Sequence, residues 1–163
     1  MDVSISRATV DDAAEILALQ KLAYRSEAEI YGDYTIQPLT QTLEETLAEF
    51  EAQTVLKAVS GEYTVAGESI GRRIVGSVRG YERDGTCYIG KLIVHPDAQN
   101  QGLGARLMRK IEACFPHVER CELFTGSGSE KNLYLYRKLG YQTLREQQIN
   151  EQLALVFLEK RIS

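Results

Sequence analysis

The chain has 163 residues, the length of one ordinary domain, so residues 1–163 are predicted to form a single domain that needs neither disulfide nor metal to fold. Its 44% hydrophobic and 26% charged residues are typical of a soluble globular protein and exclude a disordered one. No apolar run reaches the roughly 18 residues of a membrane span. A net charge of -4 argues against general binding to nucleic acid.

The cysteines and histidines indicate no metal or thiol chemistry. Three cysteines without C-x-x-C spacing, in a chain whose first residues lack the features of a signal peptide, predict reduced thiols and a cytoplasmic protein. Two histidines and no ligand-like spacing predict no metal site. Cys87 and His95 fall on one predicted strand about 26 Å apart, which excludes them as a nucleophile and base pair.

The N-terminal third is predicted to be one strand and two helices. Val3–Arg7 alternates apolar and polar residues, as a half-buried strand does. The capping box Thr9-Val10-Asp11-Asp12 predicts a helix over residues 10–25, and Thr42-Leu43-Glu44-Glu45 predicts a second, shorter helix. The intervening residues 31–38 contain two tyrosines, a glycine and a proline, and predict an irregular segment.

The middle third is predicted to be antiparallel sheet. Thr54–Val59, Arg72–Tyr81 and Thr86–Val94 are rich in β-branched and aromatic residues. Arg83-Asp84-Gly85 has the composition of a hairpin turn. Residues 60–71, with three glycines, predict a loose hairpin or a loop.

The last third alternates helices and strands. The predicted elements are a helix from Gly102, a strand Cys121–Thr125, a helix from the capping box Ser127-Gly128-Ser129-Glu130 to Gly140, and strands Tyr141–Ile149 and Gln152–Leu158. The whole chain is therefore predicted to be an α/β (α+β) protein, a mixed but mostly antiparallel central sheet flanked by about four helices. Its element order is β-α-α-β-β-β-α-β-α-β-β.

A turn after the strand that ends at Val94 predicts an anion site. Gly102 and Gly104 open a helix there, and glycines let backbone N–H groups approach an anion where the helix dipole adds positive charge. The first turn of this helix has no acidic residue, and the basic residues Arg106, Arg109 and Lys110 follow. A pyrophosphate is the ligand this pattern favours.

Two alternatives remain for these glycines. They could serve close packing alone, since short glycine patterns also occur by chance. They could belong to a nicotinamide site, with Glu122 as the ribose-binding acid, but the third glycine and the parallel βαβ unit of such sites are missing.

Two segments resemble the GNAT superfamily of N-acetyltransferases. Gln99-Asn100-Gln101-Gly102-Leu103-Gly104 fits that family's Q/R-x-x-G-x-G/A signature, and Leu92-Ile93-Val94-His95-Pro96 is similar to the strand before it. Asn132-Leu133-Tyr134-Leu135-Tyr136-Arg137-Lys138-Leu139-Gly140-Tyr141 resembles the second family motif, L-Y-x-K-x-G-F/Y. Because the element order also agrees, the resemblance covers nearly the whole chain.

The resemblance implies acetyl-CoA as the donor and an amine as the acceptor. The coenzyme would be held by Leu92, Ile93 and Val94 along its pantetheine arm and, at its pyrophosphate, by Gln99, Asn100, Gln101, Gly102, Leu103, Gly104 and Ala105. In the family, a bulge splays two strands to admit the arm.

The second motif suggests a proton donor. Ser129, Asn132 and Tyr136 share one helical face by their spacing. The resemblance implies that Asn132 donates to a pantetheine carbonyl and that Tyr136 binds the coenzyme and protonates the departing thiolate, which is reasonable for a phenol and a thiol with pKa values of about 10 and 8.5. The alternative for Tyr136 is a core aromatic residue.

The acceptor side is predicted less fully. Tyr31 and Tyr34 offer ring faces and hydroxyls to an ammonium group, or else pack the segment onto the sheet. The strand segment Tyr88–Leu92 carries no carboxylate, so Glu29, Asp33 and Glu82 are substitutes for a general base, each with an ordinary surface role as its alternative.

A non-catalytic acyl-CoA-binding module is the main alternative function, and a homodimer is left open.

Overall fold

The structure, a computed structural model, describes residues 2–61 and 63–162. Its strands are β1 (Val3–Arg7), β2 (Thr54–Ser60), β3 (Tyr63–Val65), β4 (Glu68–Ile70), β5 (Arg73–Arg83), β6 (Thr86–Val94), β7 (Arg120–Gly126), β8 (Gln142–Gln148) and β9 (Ala154–Arg161). Its helices are α1 (Ala13–Ala23), α2 (Arg25–Tyr31), α3 (Gln37–Thr40), α4 (Leu43–Ala52), α5 (Leu103–Ala113) and α6 (Glu130–Lys138). Within the described ranges, every helix is too short or too polar to cross a membrane.

Seven strands form one sheet in the order β1-β2-β5-β6-β7-β9-β8. Every neighbouring pair is antiparallel except β6 and β7, which run parallel. The remaining two strands, β3 and β4, pair as a separate hairpin within the extension predicted over residues 60–71. The prediction of a mixed, mostly antiparallel sheet is confirmed.

Helices cover both faces of the sheet. Leu107, Met108 and Ile111 of α5 are fully buried in one apolar cluster, which includes Leu56 and Ala58 of β2. Ile16 and Leu19 of α1 belong to a second cluster, which includes Val55 of β2 and Ile74 of β5. Because successive strand residues point to opposite faces, the two clusters lie on opposite sides of the sheet.

The N-terminal helices are interrupted more than the pattern predicts. The capping box of Thr9 and Asp12 is present, but a 3-10 turn occupies Val10–Asp12, α1 ends at Ala23, and α2 continues after Tyr24. The predicted irregular segment contains α3, which begins at Gln37. The second capping box is confirmed, since Glu45 N donates to Thr42 Oγ1 at 3.1 Å and Thr42 N donates to Glu45 Oε1 at 2.9 Å.

The third predicted capping box is wrong. Helix α6 begins at Glu130 with Ser129, not Ser127, at the N-cap position, and the Ser129 hydroxyl makes no capping bond. That hydroxyl is buried and bonds to side chains of α2 instead. Gly140 follows the helix with φ of 101°, as predicted for the residue after a helix end.

Candidate active site

A cleft opens where β6 and β7 separate. Their parallel pairing covers only Thr86–Tyr88 with Arg120–Glu122, so the β7-facing edge of β6 has no strand partner from Ile89 to Val94 among the described residues. A bulge lies in the same part of β6. Ser77 pairs with Ile93 and Arg79 with Gly90, which leaves one extra residue in β6.

The bulge includes Lys91, whose φ of 49° is unusual for a residue with a side chain. Its ammonium donates to Glu49 of α4 (2.8 Å) and to Gln41 Oε1 (2.9 Å). The guanidinium of Arg79, only 1% exposed, also bonds to Glu49 and donates to Gln20 Oε1 at 3.1 Å. These contacts fix the bulge of β6 against α4.

Glu49 is therefore a structural carboxylate. Burial alone would raise its pKa, but the hydrogen bonds from Lys91 and Gln41 and the charges of Lys91 and Arg79 outweigh burial and hold the pKa below its usual value. Burial lowers the pKa of Lys91, although Glu49 opposes that change. Because Glu49 is ion-paired with both Lys91 and Arg79 and its pKa is lowered, this residue is a poor candidate for a general base.

The N-terminus of α5 forms another part of the cleft wall. Gly102 is its N-cap with φ of 77°, no side chain caps it, and no acidic residue lies in its first turn. The first N–H groups of a helix have no partner within the helix, so those of Leu103, Gly104 and Ala105 are free for an anion in the cleft that these residues line. Arg109 also lines this part of the cleft.

The two glycines of α5 differ in their surroundings. A Cβ on Gly102 would meet no heavy atom within 4 Å, whereas one on Gly104 would lie 3.2 Å from Leu135 Cδ2 of α6. Gly104 thus permits close packing of α5 against α6 as well as access to its backbone. Arg106 lies outside the cleft lining and donates to the carbonyl of Val3 at 2.9 Å.

Tyr136 combines a buried ring with a free hydroxyl. The side chain is 7% exposed and packs edge-on against Tyr141, with ring centroids 6.1 Å apart. Tyr136 lines the cleft, and its hydroxyl has no hydrogen-bond partner in the part of the chain that the structure describes. Burial, together with Tyr24 and Glu27, raises its pKa, so the phenol keeps its proton at neutral pH.

A polar network joins α2 to the start of α6. Asn132 Nδ2 donates to Glu27 Oε1 (3.3 Å) and to Thr125 Oγ1 (3.2 Å), and the Ser129 hydroxyl donates to the other oxygen of Glu27. Tyr31 Oη lies 2.7 Å from Ser129 Oγ. The predicted face of Ser129, Asn132 and Tyr136 exists, but the Asn132 amide faces a carboxylate from α2.

Tyr31 and Tyr34, predicted as possible acceptor contacts, lie in different surroundings. Tyr31 is 8% exposed, and its hydroxyl also accepts the backbone N–H of Gly128 at 3.0 Å. A Cβ on Gly126 would lie 1.8 Å from that hydroxyl, so Gly126 makes room for the ring. Tyr34 is 59% exposed and lies outside the cleft lining. This geometry favours the packing alternative for Tyr31.

Most of the predicted coenzyme residues meet at this one cleft. Those that line it are Leu92, Ile93, Val94, Gln99, Asn100, Gly102, Leu103, Gly104, Ala105, Asn132 and Tyr136, whereas Gln101 does not. Glu122, the ribose-binding acid of the nicotinamide alternative, is bonded to Arg120 at 2.5 Å. No cluster of metal-ligating side chains occurs in residues 2–61 and 63–162.

Sequence reasoning missed several residues of the cleft. Tyr24 lies at the break between α1 and α2, and Glu27 follows one turn later. Tyr81 and Tyr88 stack with ring centroids 5.4 Å apart. The tight turn after Arg83 was a usable signal for that tyrosine pair, because its register places Tyr81 opposite Tyr88.

The splayed strands, the uncapped helix and the buried tyrosine together define an acyltransferase site of the GNAT type. The sequence model of the acetyltransferase (GNAT) domain matches residues 60–143, which is more than half of the chain. The chain therefore belongs to the GNAT acetyltransferase family, and the resemblance found in the sequence is confirmed.

Solved structures confirm the fold. The PaiA N-acetyltransferase of Thermoplasma acidophilum in complex with coenzyme A superposes with a TM-score of 0.75 at 13% identity, covering 99% of each chain. The ribosomal-protein-S18-alanine N-acetyltransferase of Escherichia coli gives 0.75 at 14% identity, covering 99% of this chain and 95% of that one. YncA of Salmonella typhimurium with its cofactor acetyl-CoA superposes with a TM-score of 0.70 at 18% identity, covering 100% of this chain and 95% of that one.

A curated relative shares part of its sequence with this chain. The UPF0157 protein YqkA of Bacillus subtilis is 27% identical over 130 residues, which are 80% of this chain and 34% of that protein. The chain thus spans about a third of the length of this relative.

Proposed function

We propose that the protein is an N-acetyltransferase that moves the acetyl group of acetyl-CoA directly to a primary amine, without a covalent enzyme intermediate. The observation that carries this proposal is the free hydroxyl of Tyr136 in a cleft that also holds the uncapped N-terminus of α5. The first is a proton donor for a leaving thiolate, and the second is an anion site for the coenzyme.

The backbone supplies the binding of the donor. The N–H groups of Leu103, Gly104 and Ala105 would hold the pyrophosphate, with Arg109 nearby. The edge of β6 from Ile89 to Val94, which has no strand partner among the described residues, would bond the amides of the pantetheine arm as a neighbouring strand would. The contacts along β6 depend on backbone positions that the bulge at Lys91 fixes.

Tyr136 would act on the leaving group. As the amine nitrogen bonds to the acetyl carbon and the carbon–sulfur bond breaks, the developing thiolate takes the proton of the Tyr136 hydroxyl. A phenol whose pKa is raised by burial stays protonated until that moment. The amine nitrogen releases its surplus proton, and the phenolate regains one from solvent. A hydroxyl without another partner is free to turn toward the sulfur.

The test is a rate assay with a panel of primary amines and detection of the free thiol of coenzyme A. An N-acetyltransferase releases thiol only when both acetyl-CoA and an amine are present. The alternative, an acyl-CoA-binding module without turnover, binds acetyl-CoA in a calorimetric titration and releases no thiol. Failure to bind acetyl-CoA while binding NADPH would contradict both and favour the nicotinamide alternative.

A further inference from the structure

Glu27 is a carboxylate of the cleft whose charge has no counter-ion among the described residues. It is half-buried, and none of the ion pairs among the described residues includes it. Asp33, Glu29 and Glu130 also line the cleft outside any of these ion pairs, but Asp33 accepts hydrogen bonds from the nearby Thr35, and Glu29 and Glu130 are exposed. Two further carboxylates of the cleft are ion-paired. Glu49 is paired with Lys91 and Arg79, and Glu122 is paired with Arg120. A partly desolvated charge without a partner favours binding of a cation.

Neutral donors hold the Glu27 carboxylate in one position. The hydroxyl of Ser129 donates to one oxygen and the amide of Asn132 to the other. Tyr31 orients Ser129 in turn, because its own hydroxyl accepts the N–H of Gly128 and is left to donate to Ser129 Oγ. The carboxylate is thus oriented without being neutralised, which suits a group that must bind a cation and then take its proton.

The position of Glu27 relative to Tyr136 follows from α6. Asn132 and Tyr136 are four residues apart on one face of this helix, which is about 6 Å along the axis. The carboxylate that binds Asn132 therefore lies about one helical turn along α6 from the position of Tyr136, inside the same cleft. Its charge contributes to the raised pKa of both Tyr136 and Tyr24, which agrees with this proximity.

We infer that Glu27 binds the amino group of the acceptor beside the thioester and accepts a proton from it during transfer. This inference rests on the proposed function. The bound ammonium first loses one proton to solvent. The nitrogen then bonds to the acetyl carbon and gives its next proton to Glu27, while the carbon–sulfur bond breaks and Tyr136 gives its proton to sulfur. Glu27 finally returns its proton, through solvent, to the oxygen of Tyr136.

The alternative for Glu27 is a structural tie between α2 and the N-terminus of α6, where a negative charge is favourable. The two roles differ in what a charge-removing substitution changes. A structural tie predicts lower thermal stability with normal turnover of the folded protein. A role in transfer predicts lost turnover with normal binding of acetyl-CoA.

The experiment compares the parent protein with Glu27→Gln, Glu27→Asp and the matched control Glu44→Gln, an exposed carboxylate outside the cleft lining. Acetyl-CoA affinity is measured by calorimetry, melting temperature by circular dichroism, and thiol release with n-butylamine, phenethylamine and a lysine-containing peptide from pH 6 to 9.5. We expect Glu27→Gln to lower kcat/KM for the amine by about 100-fold or more with acetyl-CoA affinity within about twofold. Glu27→Asp should recover part of the loss, and Glu44→Gln should resemble the parent.

Each other outcome has a defined meaning. Normal kcat/KM in Glu27→Gln, with or without a lower melting temperature, overturns the role of Glu27 and leaves the proposed function intact. A loss of similar size in Glu44→Gln would show that the effect is not specific to Glu27 and also overturns it. A parent protein that binds acetyl-CoA but acetylates none of the three amines contradicts the transferase function itself, and the role of Glu27 with it.

Discussion

The proposed function divides the cleft into a donor half and an acceptor half, which are built differently. The donor half consists of backbone: the free edge of β6, the turn after it and the first N–H groups of α5. The acceptor half consists of side chains from distant parts of the chain, since Glu27 and Tyr31 bond to Ser129 about a hundred residues away. A backbone site needs only a short local pattern, whereas a side-chain site needs the whole fold to bring its members together.

Tyr136 connects the two halves, and its substitution should have the largest effect. Tyr136→Phe keeps the buried ring and removes only the hydroxyl, so kcat should fall by about 100-fold or more while acetyl-CoA affinity changes little. Steady-state kinetics and calorimetry measure the two quantities. Tyr134→Phe, on the exposed side of the same helix, is the control. A kcat within about twofold of the parent would assign Tyr136 to packing.

The support of the bulge should be the next most sensitive feature. Glu49→Gln leaves Lys91 and Arg79 without their carboxylate, so the free energy of unfolding should fall by about 2–3 kcal/mol at neutral pH. Urea unfolding measures this change, with the exposed Glu44→Gln of the same helix as the control. Equal stability of the two variants would contradict a supporting role for Glu49.

The same carboxylate predicts a pH dependence. Its pKa is lowered in the folded protein, so its contribution is present above the ordinary glutamate value of about 4.3 and is lost as the pH falls through the lowered folded value. The parent should therefore lose stability toward low pH more steeply than Glu49→Gln. Parallel curves for the two proteins between pH 6 and 3 would show that Glu49 does not cause the loss.

The donor half should respond to crowding of its backbone. Gly104→Val places a branched side chain at the first turn of α5, against Leu135 and beside the proposed pyrophosphate, so acetyl-CoA affinity should fall by about tenfold or more. Calorimetry on protein shown to be folded by circular dichroism measures the loss, and Gly104→Ala should lie between this variant and the parent. An unchanged affinity in folded Gly104→Val would contradict binding of the pyrophosphate at this helix.

The smallest effect should come from the network behind the acceptor half. Tyr31→Phe removes the hydroxyl that accepts from Gly128 and bonds to Ser129, so stability should fall by about 1 kcal/mol with no change in acetyl-CoA affinity. Tyr34→Phe, which is exposed, should change neither quantity. A rise in the acceptor KM of Tyr34→Phe would instead restore the prediction that this tyrosine contacts the amine.

The fold and most of the residues proposed to bind the donor could be predicted from the sequence because their signals are local. The glycines of α5, the tyrosine of α6 and the strand before Val94 lie within two short segments. The bulge at Lys91 was not visible from the sequence, because its left-handed backbone belongs to a lysine and depends on contacts with α4. A glycine at position 91 would have indicated a left-handed backbone in the sequence.

The acceptor half escaped prediction for a related reason. Glu27 resembles any surface glutamate of a short helix, and only the fold shows that Ser129 and Asn132 meet it. The capping box beginning at Ser127 was misassigned because Ser129 takes the N-cap position. The Ser129 hydroxyl then bonds to α2, a long-range contact that no capping pattern encodes.

The central claim is that backbone groups of β6 and α5 bind acetyl-CoA, and hydrogen exchange tests it most directly. With saturating acetyl-CoA, amides of residues 89–94 and 103–105 should exchange more slowly, because the coenzyme would bond to them or cover them. Amides of α4, which lies behind the bulge, should change little. Slower exchange confined to other segments, or no change at a concentration that saturates calorimetric binding, would contradict the assignment of the donor half.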